Sequence, residues 1–155
     1  MKIRDLLQKN SILIGLESID KKEILSQMAH YMASIYNLSD GDVIARKILE
    51  RETDMSTGIG FGIAIPHARV DTVGHVYLIA AQSINGIDFN SIDEQPVHLI
   101  FMIISPANAS AEHTHILSAL SRIMSYENMR KKLIAAETAE EFLELIINGE
   151  DKYVE

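Results

Sequence analysis

The sequence predicts an α/β fold, a mixed β-sheet covered by helices on both faces, and three observations carry the prediction. Helical amphipathic segments both precede and follow the extended ones, so a sheet between them has cover for each face. The segment 97–104 (VHLIFMII) is almost wholly apolar, the pattern of a central strand buried on both sides. The chain has 155 residues, 47% of them hydrophobic, which suits one domain with a substantial core. The expected architecture is a three-layer α/β/α sandwich in which residues 1–155 form a single domain.

The elements follow in order. Residues 2–8 read as a short helix and 12–16 as a strand. From Asp20 the pattern turns helical: Ile24, Leu25, Met28, Met32, Ile35 and Tyr36 recur at helical spacing on one face. Asp20 is placed to cap this helix, with Glu23 as the second half of a capping box. A second helix, from about 40 to 52, turns Val43, Ile44, Ile48 and Leu49 inward. The character changes at Thr53. The stretch Ser56-Thr57-Gly58-Ile59-Gly60-Phe61-Gly62 is turn-rich and excludes a regular helix. Residues 63–65 form a short extended piece, and Pro66 holds Ile65 in β geometry. Residues 75–84 read as a strand, Asn85-Gly86 as a turn, and Pro106 ends the central strand.

Three helices complete the chain, at about 110–125, 127–136 and 138–148. Their apolar sets are Ile116, Leu117, Leu120, Ile123 and Met124, then Met129, Leu133 and Ile134, then Phe142, Leu145 and Ile146. Thr138 is a natural cap for the last. No internal repeat, low-complexity segment or linker interrupts the pattern.

Composition narrows the function. The chain has no cysteine, which removes disulfides, thiolate zinc sites and a cysteine nucleophile. Its net charge of −8 lacks the basic footprint of a nucleic-acid binder; Arg130, Lys131 and Lys132, beside Glu127, read as a solvated helix face. No apolar run approaches the roughly 20 residues of a membrane span. The opening MKIRDLLQKN breaks its apolar residues with charge and does not resemble a signal peptide, so a cytoplasmic location is expected. An acidic surface repels free anions, so any phosphate handled here is expected to arrive on a carrier protein.

The familiar catalytic motifs fail. Gly58, Gly60 and Gly62 fit neither the dinucleotide fingerprint nor the phosphate-binding loop with its lysine. No G-x-S-x-G elbow is present. A zinc site could be drawn from three of the six histidines, but H-E-x-x-H spacing is absent; a metal-dependent enzyme is the alternative from another class. His67 stands out, held by Pro66 and approached through the glycine-rich loop. His30 reads as structural, and His75 and His98 as packed strand histidines. His113 lies three, four and seven residues before Ile116, Leu117 and Leu120, so it faces inward. His115 points elsewhere and is expected to be exposed.

The segment Arg51-Glu52-Thr53-Asp54-Met55-Ser56-Thr57-Gly58-Ile59-Gly60-Phe61-Gly62-Ile63-Ala64-Ile65-Pro66-His67-Ala68 closely resembles the active-site signature of enzyme IIA domains of the bacterial phosphotransferase system, of the fructose–mannitol class that includes the nitrogen-regulatory IIA proteins. The likeness continues through Asn85-Gly86-Ile87-Asp88-Phe89, Asp93-Glu94-Gln95-Pro96-Val97-His98-Leu99-Ile100-Phe101, and the helix from His113 through Leu117, Leu120 and Arg122.

The resemblance implies that His67 accepts a phosphoryl group from phospho-HPr and passes it to a cysteine of an enzyme IIB. It implies a second histidine at the head of the helix after the central strand. His113 fits the family's pattern of following leucines and His115 does not. It also implies Arg51 as electrostatic support, although an arginine there could equally offset a helix C-terminus. No metal or cofactor is required, and a membrane is met only through the permease. Since the next acceptor is a cysteine, it must lie on another chain, and a free-standing IIA is expected.

In these roles His67 is the nucleophile, its other ring nitrogen held by a backbone or carboxylate acceptor, and His113 donates to phosphoryl oxygens. Backbone N–H groups of 62–67 could complete the cradle. Ala68 with the NGIDF and VHLIFM stretches looks fructose-like, which favours sugar transport. A nitrogen-regulatory protein, whose phosphorylation state controls binding to a target protein, is the alternative output.

Overall fold

The computed structural model describes residues 1–154. Its elements are α1 (Ile3–Leu6), β1 (Ile12–Leu16), α2 (Lys21–Ile35), α3 (Gly41–Asp54), β2 (Gly58–Gly60), β3 (Ile63–Ala64), β4 (His67–Arg69), β5 (Tyr77–Ile87), β6 (Val97–Ser105), α4 (Ser110–Met124), α5 (Glu127–Ala135) and α6 (Ala139–Tyr153). One mixed sheet runs β1-β5-β6-β3-β2, with β4 also paired to β6. β6 is its axis. It pairs antiparallel with β5 on one side, and parallel with β3 and then β4 on the other.

The apolar run of β6 serves both faces by simple alternation. Leu99, Phe101 and Ile103 point into a core closed by α1, α4, α5 and α6, while Ile100, Met102 and Ile104 point into a core closed by α2 and α3. The α/β sandwich predicted from the sequence is the fold observed. Asp20 caps α2 by accepting from the Glu23 N–H. The return half of the expected capping box is replaced, because the Asp20 N–H donates to Ser18 Oγ.

Two further sequence expectations change. Asn85-Gly86 does not end a strand: β5 continues to Ile87, and the register slips between the Gln82–Leu99 and Ile87–Val97 pairs. Gly86 sits at φ +80°, and a Cβ there would lie 2.8 Å from the Pro96 side chain. The glycine thus permits an irregularity inside a strand rather than a hairpin. His75 is not a packed strand residue; the strand begins at Tyr77, and His75 is exposed in the preceding loop.

Gln82 shows how the sheet holds α5. Its buried side chain donates from Nε2 toward the carbonyls of Leu133, Ile134 and Ala136 at 2.8, 3.0 and 2.9 Å, and Oε1 accepts from the Gly15 N–H. These carbonyls lie at the C-terminal end of α5, where backbone donors run out; among the described residues only the Leu133 carbonyl keeps a second one, the Ala136 N–H at 3.4 Å. Gln82→Leu leaves the buried Ala136 carbonyl without its donor and is expected to cost about 2 kcal/mol of folding free energy, read by urea unfolding. A loss well under 1 kcal/mol would mean that this carbonyl finds another donor.

A second tie joins α2 to α3. His30 Nδ1 lies 2.8 Å from the Ser26 carbonyl and Nε2 lies 2.8 Å from Asp42 Oδ1. Both partners are acceptors, so both bonds form together only when the ring is charged. The Asp42 bond, and then the Ser26 bond, raise the His30 pKa above its ordinary 6.5. A group whose pKa is raised by folding contributes stability that is complete below the unfolded value and fades as pH rises through the folded one. Wild type should therefore lose a small stability increment between pH 6 and pH 8 that His30→Gln never had. A constant difference in urea midpoint between the two proteins across that range would contradict this.

Candidate functional site

His67 lies where three local features converge. Ile63 and Ala64 pair with Leu99 and Ile100, Pro66 interrupts, and His67 resumes the parallel pairing opposite Ile103. Proline lacks an N–H and breaks the ladder, yet its carbonyl accepts from the Ile103 N–H, which keeps the chain alongside β6. The Ile65 N–H donates to the Thr57 carbonyl, anchoring the approach from the other side. His67 thus starts a short strand, β4, beside the C-terminal half of β6. Sequence reading did not separate this strand, because three residues between a proline and a loop leave no periodicity to detect.

The His67 ring is half-buried, and its Nδ1 lies 2.8 Å from the Ile65 carbonyl. A carbonyl can only accept, so Nδ1 carries the proton and Nε2 is left with a free lone pair. Burial lowers the pKa of His67, helped by the charges of Arg51 and Arg69 and opposed by the Ile65 bond and Glu52. The ring is neutral near pH 7, and its Nε2 has no partner among the described residues.

His113 stands beside it. The rings are 5.3 Å apart between centroids and meet edge-on at 68°. His113 occupies the first turn of α4 and is buried, as its alignment with Ile116 and Leu120 requires. Its Nδ1 is paired with Ser105 Oγ at the end of β6. Burial, then the charges of Arg69 and His67, lower its pKa to about 4. His115 is exposed and lines a separate crevice with Lys2 and Glu150. The choice of His113 over His115 as the neighbour of His67 agrees with this geometry.

Both histidines open on a cleft of about 530 Å³ that also carries Lys47, Arg51, Arg69, Glu50, Asp54 and Leu117. Arg51 lies in the last turn of α3, and its Nη1 donates to the Met55 carbonyl just beyond the helix. It is both a cation at a helix C-terminus and a wall of the cleft, so the two readings of it are compatible.

Its neighbour Glu52 turns the other way and is buried. It accepts from the Thr57 N–H at 2.8 Å, from Thr57 Oγ1 at 2.6 Å, and from Lys21 Nζ at 2.9 Å. Through Thr57, Glu52 fixes the segment that holds Ile65, and so supports the His67 approach from beneath.

Sequence reading missed Arg69. Its Nη1 donates to Ser110 Oγ at 3.2 Å and reaches the Pro106 carbonyl at 3.5 Å, and its charge depresses both site histidines. Positions 67 and 69 of an extended segment share a face, but a three-residue strand gives the sequence no period from which to read that. The glycine-rich loop behaves otherwise than expected. Gly62 pairs by its carbonyl with the N–H groups of His98 and Leu99, near the opposite end of β6 from the Ile103 position of His67. A strand advances roughly 3.3 Å per residue, so this loop turns the β2–β3 hairpin and does not cradle the site. Among the described residues no group of three His, Cys, Asp or Glu could hold a metal ion.

This α/β architecture is that of the IIA domains of the bacterial phosphotransferase system. The nitrogen regulatory protein IIA-Ntr of Neisseria meningitidis superposes with a TM-score of 0.87 at 29% identity, over 93% of this chain and 98% of that one. Residues 5–149 match the family described as "Phosphoenolpyruvate-dependent sugar phosphotransferase system, EIIA 2", and the chain belongs to that family. The fructose-specific EIIABC component of Bacillus subtilis is 39% identical over 152 residues, 98% of this chain but 24% of that protein. The fructose-specific EIIA component of Haloferax volcanii is 46% identical over 101 residues, 65% of this chain and 66% of the relative. The chain thus spans only part of these two relatives' length. No helix among the described residues is long and apolar enough to cross a membrane.

Proposed function

We propose that this protein is a phosphocarrier that takes a phosphoryl group from phospho-HPr onto Nε2 of His67 and passes it to the cysteine of an enzyme IIB, in the service of a fructose-like sugar. The observation that carries the reading is the Nδ1–H bond from His67 to the Ile65 carbonyl, which leaves a neutral ring with one exposed nucleophilic nitrogen. The Nε2 lone pair attacks phosphorus in line, the P–N bond to the donor histidine breaks, and its electrons return to that ring. The His67 ring then carries positive charge, which the Ile65 carbonyl stabilises at Nδ1–H. In the second step a thiolate attacks phosphorus, the Nε2–P bond breaks, and His67 is again neutral.

Electrostatics fits a cargo carried by another protein. The chain bears −8 overall, yet Lys47, Arg51 and Arg69 surround the histidines, with Glu50 and Asp54 as the cleft's acidic side chains. A locally cationic cleft steadies the phosphoryl oxygens. The fructose reading draws on the two fructose-specific relatives. A regulatory output, with phosphorylation controlling a target protein, draws on the likeness to IIA-Ntr over nearly the whole of that chain.

The test is incubation with enzyme I, HPr and labelled phosphoenolpyruvate. Acid-labile, alkali-stable label is expected on the protein, and it should chase onto a fructose-type IIB domain. Label that forms but does not chase, while phosphorylation changes binding to a target protein, would favour the regulatory output. No label at all would end the phosphocarrier reading.

A further inference from the structure

We propose that Ser105 is a positioning residue for phosphoryl transfer: its buried hydroxyl donates to His113 Nδ1 and holds His113 in the tautomer that carries its proton on Nε2, facing the cleft. The inference rests on the phosphocarrier reading above. The geometry is specific. Ser105 has no exposed surface, and its Oγ lies 2.5 Å from His113 Nδ1. Among the described residues that contact is the only hydrogen bond of the hydroxyl. A hydroxyl has one proton, and an imidazole nitrogen either donates or accepts. If His113 Nδ1 were the donor, the Ser105 proton would be left without an acceptor in a site closed to water, which folded proteins avoid. If Ser105 is the donor, both groups are satisfied.

The consequence falls on the far side of the ring. A neutral His113 that accepts at Nδ1 must carry its proton on Nε2. That nitrogen has no partner within the protein, and it is not among the fully enclosed unpaired atoms, of which Ser91 Oγ is the one found among the described residues. It therefore opens on the cleft that His113 shares with His67. The opposite tautomer would present a lone pair there and repel phosphoryl oxygens.

β6 supplies the precision. Ser105 is its last residue, and its carbonyl accepts from the Val70 N–H, so the hydroxyl is set by the strand that also registers His67 against Ile103. One strand thus orients both rings, His67 through its pairing and His113 through a side-chain hydroxyl.

The tautomer is readable directly from ring nitrogen shifts of the full chain labelled with ¹⁵N-histidine, with His113 assigned by difference from His113→Gln. In wild type at neutral pH, His113 Nδ1 should appear as the unprotonated nitrogen and Nε2 as the protonated one. Ser105→Ala should give averaged shifts from mixed tautomers and slow transfer from phosphorylated protein to the IIB acceptor by roughly three- to tenfold, the range for one neutral hydrogen bond. Ser105→Thr, which keeps the hydroxyl, should restore both.

A wild-type His113 protonated at Nδ1 overturns the proposal with no variant needed. So does a Ser105→Ala protein that folds and transfers at the wild-type rate. A wild type that accepts no phosphoryl group removes the underlying reading, and the proposal with it. The labelling assay sees that failure separately from the tautomer measurement.

Discussion

His67→Ala takes up no label from enzyme I, HPr and phosphoenolpyruvate, whatever the incubation time: this is the largest effect expected in the molecule. The reason is chemical. Each of the other histidines lacks some part of the site. His113 has its Nδ1 engaged by Ser105 and would present a protonated Nε2. His98 Nδ1 is bonded to the Ser83 carbonyl at the opposite end of β6, and His30 is tied to Asp42. His75 and His115 are exposed and are not among the residues that line the cationic cleft. The variant should also stay folded, because the His67 ring is half-buried and its one hydrogen bond returns to its own segment. Persistent label on folded His67→Ala would refute the assignment of the acceptor.

His113→Ala separates filling the site from emptying it. The nucleophile remains, so with excess phosphoenolpyruvate the protein should still fill with label. Transfer onward to a IIB cysteine should slow by roughly 10²–10³-fold, the cost of removing one preorganised donor from a site of developing charge. The ratio of wild-type to variant initial rates of label uptake, a step that starts from the unphosphorylated protein, should be flat from pH 8 down to about pH 5, because burial, then the charges of Arg69 and His67, hold the His113 pKa near 4 there. A ratio that changes through the ordinary histidine range near 6.5 would show that His113 acts as an imidazolium instead. The same transfer defect in His115→Ala would mean that the wrong face of α4 had been chosen.

Most of this site was legible in one dimension because its parts lie in continuous segments. The run from Arg51 to Ala68 holds Arg51, Glu52 and the proposed acceptor His67 on one stretch of chain. His113 announces its direction through the apolar residues that follow it at helical spacing. Arg69 was passed over because the segment holding it is too short to show a strand period. The glycine-rich loop was misplaced for a related reason: sequence distance from Gly62 to His67 is small, but an extended chain spends those residues moving away along β6. Asn85-Gly86 has the composition of a turn, and the same left-handed glycine serves equally in a strand irregularity when a second strand presses against it.

The sequence by itself determined the α/β sandwich, the apolar axis strand, the family resemblance and the identity of His67 as the residue to test. Those features depend on local pattern: periodicity, proline and glycine placement, and a long contiguous signature. Only the tertiary structure decided which nitrogen of His67 is free, that His113 rather than His115 meets it edge-on, and that Ser105 stands behind His113. These are relations between groups brought together by parallel pairing to β6 and by the entry of α4, and a hydrogen bond depends on position and angle in space, which residue order does not carry.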